Sequence, residues 1–464
     1  MHPANDTIVA ISTPPGRGGI GIVRLSGPEA RGIAEPLLRL RHPLAPGRAR
    51  FAEILDAATG AVLDEAVVTW FAAPNSYTSE DVVEIAAHGS PVLLDALLRQ
   101  CVNQGARLAE PGEFTQRAFL SGRLDLTQAE AVHSLIESTT LQQARTAALQ
   151  LGGGVSRQVQ PVKHGLIALI AALEAGIDFA EDDLDLMPEG EILQRMRGIE
   201  APLRALEESF AYGRVLREGF RLAIVGRPNA GKSSLFNRLI RRDRAIVTAQ
   251  PGTTRDPIAE RLDLAGIPVE LIDTAGLRAT TDEAETYGVA KSREALAEAE
   301  IVLLVVAANE ALHAEDLAAM EASSGRKLIV VVNKIDLAGD DAGFARLSER
   351  LAAQPATAEP RVMVATSAVE GTGIEELRQA ILSALQTTLP DSDTVPLTNL
   401  RQHQAITTAL AAVRSAEQGA AASVPHEMLL LDLHECLHAL DTLTGTTHTD
   451  EILNLIFSTF CIGK

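Results

Sequence analysis

Four short stretches carry residues whose types and spacing could do phosphate and base-recognition chemistry. The first is "RLAIVGRPNAGKSSLFNRLI" (221–240). An apolar strand pattern runs into Gly226, and Gly231-Lys232-Ser233 opens an amphipathic helix, which is G-x-x-x-x-G-K-S in the strand–loop–helix context it requires. The glycines let backbone N–H groups curl round phosphate oxygens. Lys232 can charge-pair with β and γ phosphates, and Ser233 can ligate Mg²⁺. The competing reading, a plain tight strand–helix turn, gains nothing from the other three stretches. "VELIDTAG" (269–276) ends a buried strand in Asp273, which can reach Mg²⁺ through water, and in Gly276, whose N–H can meet a γ-phosphate. "KLIVVVNKID" (327–336) ends in Asn333-Lys334-x-Asp336. Asp336 can accept from the N1 and 2-amino hydrogens of guanine. Adenine lacks that donor pair and would strand a carboxylate, a mismatch worth roughly 10⁴ or more in discrimination. "RVMVATSAVEGTG" (361–373) ends a strand in Ser367-Ala368, whose backbone would contact the guanine oxygen.

In this order, each at the carboxyl end of an apolar strand, the stretches sit where doubly wound sheets bind ligands. Together they resemble a translation-factor-type, Ras-like doubly wound α/β GTPase domain over 216–384. The resemblance implies GTP contacts at Asn229, Ala230, Gly231, Lys232, Ser233 and Ser234. It adds Thr248, Ala249, Gln250, Pro251, Gly252, Thr253 and Thr254 from "AIVTAQPGTTRDPI" (245–258). Asp273, Thr274, Ala275, Gly276, Asn333, Lys334, Asp336, Ser367 and Ala368 complete the set. Thr254 falls where such GTPases carry a switch threonine for Mg²⁺. Leu277 follows D-x-x-G where many small GTPases place a water-positioning glutamine, so hydrolysis needs another device. Asn229 with a G-T-T-R-D loop resembles potassium-activated GTPases, with K⁺ held by Asn229 and by the Thr248, Gln250 and Thr253 region. The ion would stand where an arginine finger otherwise stabilises the transition state. Asn229 also suits a plain turn. Glu283 and Glu285 lie on an acidic loop; either could orient water, or both could simply be solvated.

The elements around these residues set the limits. The chain has 464 residues, 46% hydrophobic, 22% charged and only 3% aromatic, so aliphatic cores over two to four domains are expected. A net charge of −20 argues against extensive wrapping of nucleic acid but leaves room for a local basic patch. Arg241-Arg242-x-Arg244 reads as the only dense basic run. Cys101, Cys436 and Cys461 make no disulfide framework, and no stretch has a signal-peptide or membrane-span pattern. A cytoplasmic location without membrane attachment is expected.

Residues 1–121 read as a compact α+β unit. Strands fall at "TIVAIST", "GIGIVRLSG", "EAVVTWFAA" and "SEDVVEIAAHG", with helices near 28–40 and 91–104. Residues 122–215 are helical in character. A helix capped by Thr127-x-x-Glu130 stops at three glycines near 152–154, and another ends in the acidic "IDFAEDDLDL". Over 385–464, Leu429, Leu433, Cys436, Leu440 and Leu443 make one apolar seam. The helical parts before and after 216–384 should pack together, making the GTPase domain an insertion in a central helical bundle. His434 and His438 flank the seam, but two histidines without a third ligand are read as structural or solvated.

End to end, the chain resembles the MnmE (TrmE) family of tRNA modification GTPases. "DTIVAISTPPGRGGIGIVRLSG", "EPGEFTQRAFLSGRLDLTQAEAV", "IDFAEDD", the GTPase motifs and "ILNLIFSTFCIGK" carry that resemblance. It implies a homodimer whose N-terminal domain binds 5-formyl- or methylene-tetrahydrofolate. It implies work on tRNA with the flavin-dependent partner MnmG (GidA) in a heterotetramer or larger complex. The product would carry an aminomethyl or carboxymethylaminomethyl group on C5 of the wobble uridine, with folate as one-carbon source. It places folate contacts on Arg24, Glu84, Arg123 and Lys464, and Arg123 stands where lysine is usual. It selects Glu285 over Glu283 for the catalytic water, with Lys232 and Thr254 as its catalytic companions. Two other readings compete: a GTP-dependent switch or ribosome assembly factor without folate chemistry, and a structural helical protein with a degenerate site.

The closing Cys461-Ile462-Gly463-Lys464 fails the prenylation pattern and lacks zinc partners. "DEILNLIFSTF" places Leu453, Ile456, Phe457 and Phe460 on one helix face, so this segment should dock. Docking would aim Cys461 and Lys464 into a pocket, with Cys461 either an active-site thiol or only lining.

Overall fold

The computed structural model describes residues 6–178, 187–242, 259–273, 299–323, 325–337, 349, 362–385, 395–447 and 450–463. The chain divides into two compact units. One contains residues 1–133, 149–200 and 405–464; the other contains 134–148 and 201–404.

The first unit opens with β1 (Ile8–Ile11), β2 (Gly18–Ser26), helix α1 (Ala30–Ala34), β3 (Leu38–Leu40), β4 (Ala49–Leu55), β5 (Val62–Phe71), β6 (Val82–Gly89), α2 (Pro91–Asn103), β7 (Arg107–Leu108) and α3 (Glu113–Leu120). Seven strands form one sheet in the order β3-β4-β5-β6-β2-β1-β7. Its inner face, with Val23, Leu25, Ile54, Val68 and Ile85, packs on Ile33, Leu94 and Leu97 of α1 and α2. On the other face Ile8 and Ala10 pack against Ala109 and Phe114, while Ala49, Phe51 and Val67 are exposed. The helix expected over 28–40 ends at Ala34. Pro36 cannot donate to a helical ladder, so Glu35–Leu37 tightens to a 3₁₀ turn and Leu38–Leu40 pairs with β4 instead.

The helical part begins with α4 (Leu126–Ile136), α5 (Leu141–Leu151), α6 (Gly154–Asp178) and α7 (Glu189–Glu218). The single helix expected over 127–151 is two. Its cap is Asp125, not Thr127: Asp125 Oδ1 accepts from Gln128 N at 2.9 Å, and Gln128 Oε1 accepts from Asp125 N at 3.0 Å. That reciprocal pair is a capping box shifted two residues upstream. The second helix has its own start, because Thr140 Oγ1 accepts from Gln143 N at 3.2 Å and Gln143 Oε1 accepts from Thr140 N at 3.0 Å. Two caps in succession outcompete continuation through Glu137–Thr140.

The second unit is built on β8 (Phe220–Val225), α8 (Lys232–Arg242), β9 (Ala259–Leu264), β10 (Ile267–Asp273), β11 (Ile301–Ala307), α9 (Ala314–Ala322), β12 (Lys327–Asn333), β13 (Val362–Ala365) and α10 (Ile374–Ala384). The sheet order is β13-β12-β11-β8-β10-β9, all parallel except β9. Both faces are covered, which is why β11 is buried at every position and reads as an unbroken apolar run. Because β10 and β11 lie on opposite sides of β8, the strand order reverses beside it. That switch point is where an open α/β sheet offers a crevice.

Helices α11 (Leu400–Ala421), α12 (His426–Thr444) and α13 (Asp450–Phe457) close the chain. The seam residues Leu429, Leu433, Cys436, Leu440 and Leu443 are all buried, and α12 packs along α6 in the first unit. In the second unit Leu397 N donates to Ser209 Oγ at 3.2 Å, and Phe210 stacks on His403 at 4.0 Å. Segments before and after the nucleotide-type sheet therefore do pack together. Among the described residues no helix is long and apolar enough to cross a membrane.

Candidate functional site

Residues 226–232 form a loop between β8 and the N-terminus of α8. Gly231 holds φ +96°, and a Cβ there would stand 2.1 Å from Asn333 Nδ2, so the position admits only glycine. Asn229 sits at φ +64°, a left-handed bend that asparagine tolerates better than most residues, and its side chain faces solvent. Lys232 Nζ donates to the carbonyls of Gly226 at 2.7 Å and Arg227 at 2.8 Å, keeping the ammonium inside the loop. Ser233 and Ser234 are exposed on the first turn of α8. The helix N-terminus adds its unpaired N–H groups and positive dipole end to this concave face, an arrangement suited to an anion.

Asn333, at the end of β12, is 1% exposed. Its Nδ2 donates to Ala230 O at 3.0 Å, and its Oδ1 accepts from Ala368 N at 3.1 Å and Thr366 Oγ1 at 3.3 Å. One side chain thus ties the phosphate-type loop to the Ser367-Ala368 loop. Lys334 takes φ +65°, which turns the chain so that Asp336 stands exposed. The backbone of Asp273 ends β10 beside β8, in register with Ile224. Thr248, Ala249, Gln250, Pro251, Gly252, Thr253, Thr254, Thr274, Ala275, Gly276, Glu283 and Glu285 lie outside the described residues, as does Lys464.

A second site lies in the first unit. Arg24 on β2 and Glu84 on β6 are cross-strand partners. Arg24 Nε and Nη2 both donate to Glu84 Oε1, at 2.9 Å and 2.8 Å, and among the described residues nothing bonds Oε2. Glu84 and Arg123 line one cavity of about 610 Å³ with Pro74, Tyr77, Val82 and Gly122. The Tyr77 ring lies 5.8 Å from the Arg24 guanidinium carbon and 5.2 Å from that of Arg123. Arg123 Nη1 also donates to Tyr77 O at 2.5 Å. The closing segment reaches the same place. Leu453, Phe457 and Phe460 are buried against Phe119, Leu126 and Val132. Ile462 bridges to Pro111, and Gly463 O accepts from Arg24 Nη1 at 3.4 Å. The segment is docked, with the Cys461 thiol exposed and free.

In the same unit, Arg107 and Arg117 pair with Asp6, Glu80 and Glu113. Burial pushes the carboxyls of Asp6 and Glu113 up, but hydrogen bonds from the two guanidiniums outweigh it and hold both below their ordinary values. The network fixes the 76–80 loop, because Glu80 also accepts from Ser26 Oγ at 2.7 Å.

Two family models match the chain: the MnmE helical domain over residues 126–461 and the GTP-binding protein TrmE N-terminus over residues 7–123. A tRNA modification GTPase MnmE from Koribacter versatilis is 54% identical over 464 residues, covering 99% of both chains. The chain belongs to the MnmE family. Proteins of the same name from Aquifex aeolicus and Levilactobacillus brevis are 41% and 40% identical, each over 99% of this chain and at least 98% of theirs. MnmE-family membership makes the chain a GTP-binding hydrolase that contains a TrmE N-terminal domain and an MnmE helical domain. Among solved structures, the G domain of the T. maritima FeoB iron transporter aligns at 27% identity over 36% of this chain and 98% of that one, with a TM-score of 0.26.

Relative to the sequence reading, the structure brings Glu84 and Arg123 to one cavity, with Arg24 bonded to Glu84, and Asn229–Ser234, Asn333 and Ser367-Ala368 to another place. Sequence reasoning overlooked Tyr77 and Thr366. Tyr77 is one of only three tyrosines in the chain, and that scarcity was its sole signal. Among the described residues no group of three or more His, Cys, Asp or Glu could hold a metal. His434 instead faces Glu174 at 3.4 Å, and burial pushes the Cys436 thiol up to about 12.

Proposed function

We propose that this MnmE-family GTPase is activated by K⁺ and acts in tRNA modification. In this reading it uses a tetrahydrofolate one-carbon unit and, as a homodimer with the flavin-dependent MnmG, builds the aminomethyl or carboxymethylaminomethyl group on C5 of uridine 34. The observation that carries the folate part is a cavity lined by Glu84 and Arg123, with Arg24 bonded both to Glu84 and to the carbonyl of Gly463. About 610 Å³ falls in the range of small-ligand sites. Glu84 keeps one carboxylate oxygen for an amino–imino edge, since Arg24 occupies only Oε1. Arg123 and Lys464 would supply cations for carboxylates and carbonyls, and the exposed Cys461 thiol would be the reactive or lining group. Folate bound there would supply the carbon; Arg24 would orient Glu84 and hold the Gly463 carbonyl.

In the GTPase unit, Lys232 and the α8 N-terminus would neutralise phosphate charge, and Ser233 with Thr254 would hold Mg²⁺. Asn229 fits a K⁺ ligand because its left-handed bend leaves the residue exposed on the loop. The backbone of Thr248, Gln250 and Thr253 would complete that shell, and Glu285 would orient the attacking water.

Calorimetry with 5-formyl-tetrahydrofolate tests the reading. Heat is expected from the wild type, and Glu84→Gln should weaken binding by roughly 30-fold or more, the scale of a lost charge-assisted pair. No heat from the wild type at high ligand would favour a GTP-dependent switch without folate chemistry.

A further inference from the structure

The chain is strongly acidic overall, yet between Glu35 and Glu53 it has four arginines, one histidine and no acid. These are Arg39, Arg41, His42, Arg48 and Arg50. They are a larger basic group than Arg241-Arg242-x-Arg244, and spacing hid them. The structure folds the stretch into the β3–β4 edge hairpin, which brings its two limbs together. The hairpin is firmly built. Leu44 is 5% exposed in the sheet core, Gly47 N donates to Trp70 O at 2.8 Å, and Arg48 N donates to Ala45 O at 3.1 Å.

Arg39 is paired with Glu53 at 2.6 Å. Arg41, Arg48 and Arg50 form no ion pair among the described residues. Arg50 donates to Pro43 O at 3.2 Å, and Arg41 lies 6.0 Å over the Phe51 ring. Phe51 itself is 48% exposed on the outward face. An Arg41 guanidinium beside an exposed aromatic ring, with Arg48 and Arg50 free of ion pairs among the described residues on the same rigid edge, combines phosphate contact with a stacking platform.

We propose that the β3–β4 hairpin is an RNA-contacting surface. Arg41, Arg48 and Arg50 take the phosphate backbone of the tRNA, and Phe51 takes an unstacked base. This rests on the tRNA reading above and deepens it by naming where on this chain RNA lands. In a chain of net charge −20, this arginine cluster, bounded along the strand pair by Glu53 and Glu65, also sets the orientation of approach.

The test is binding of an unmodified tRNA transcript to the full chain, followed by fluorescence anisotropy from about 50 to 200 mM salt. The combined Arg41→Ala, Arg48→Ala, Arg50→Ala variant should bind roughly tenfold or more weakly at the low-salt end. Its log–log salt slope should fall by about 2 to 3, one unit per lost phosphate contact. The same three changed to Lys should restore the slope, which a merely structural role would not allow. Phe51→Ala should weaken binding with the slope unchanged. An unchanged slope and affinity in the alanine variant would overturn the hairpin proposal alone. No tRNA binding by the wild type at any salt would overturn it together with the tRNA reading. A variant that turns monomeric in sedimentation, with no rescue by Lys, would make this edge a contact between copies and also overturn the proposal.

Discussion

Asn333→Ala isolates the one side chain that joins the phosphate-type loop to the loop after β13. The substitution removes three hydrogen bonds, to Ala230 O at 3.0 Å and from Ala368 N at 3.1 Å and Thr366 Oγ1 at 3.3 Å. Thr366 and Ala368 are buried, so water cannot readily replace the partner. Each lost bond costs about 1 kcal/mol net, and a stranded buried group about 1–3 kcal/mol, so the local loss is about 2–4 kcal/mol. In local opening that is roughly 30- to 1,000-fold. Native-state hydrogen exchange on the full chain reads it at the Ala368 amide, with Val330 in the middle of β12 as the internal control. Ala368 should exchange faster by that factor while Val330 keeps its protection, and GDP affinity should drop in the same direction. If Ala368 exchange stayed within about threefold of wild type and GDP bound as before, Asn333 would not be the tie between the loops.

Three further outcomes are expected. Asp336→Asn should shift preference from GTP towards xanthosine triphosphate, and an unchanged preference would mean that the exposed Asp336 does not read the base. Exchanging Na⁺ for K⁺ should raise GTP turnover on the order of 10²-fold, the scale of one preorganised charge at the reacting phosphate, and equal rates would remove the ion from Asn229. The Asp6 and Glu113 carboxyls are held below their ordinary values of 3.8 and 4.5, so they stabilise the folded first unit above those values. That stability is lost as pH falls through the lower folded values. Thermal unfolding should therefore show a steep loss of stability below about pH 4.5, and Glu113→Gln should flatten it. An equally steep loss in the variant would assign acid sensitivity elsewhere.

The strand–loop–helix of the proposed nucleotide site is legible in the residues alone, because it is local. Gly226, Gly231, Lys232 and Ser233 fall within one short segment, and an apolar strand followed by an amphipathic helix needs only short-range pattern to be recognised. The seam Leu429, Leu433, Cys436, Leu440 and Leu443 is legible for the same reason, since helical periodicity is written along one segment. Where a local rule has a competitor nearby, the sequence misleads. Thr127-x-x-Glu130 looks like a cap, but Asp125 lies two residues earlier and closes its own box with Gln128. Pro36 is enough to end α1, yet the apolar run beyond it still resembles helix.

What tertiary structure alone decided was adjacency across long stretches of chain. Arg24 and Glu84 are 60 residues apart and meet because β2 and β6 pair in one register; a slip by one residue would turn them to opposite faces. Gly463 reaches Arg24 across 439 residues, and it can do so because Phe457 and Phe460 are buried against Phe119 and Leu126. Asn333 reads from its motif as a nucleotide contact. Only the parallel packing of β12 between β11 and β13 makes it a clamp on two loops. The four hairpin arginines follow the same rule. Spaced along a line they pass unnoticed, and a turn that halves the line brings them to one edge of the sheet. Local chemistry can be read from residue types and spacing because the backbone links those groups directly. Convergence of distant groups depends on strand register and buried apolar contacts, whose energies come from the whole fold.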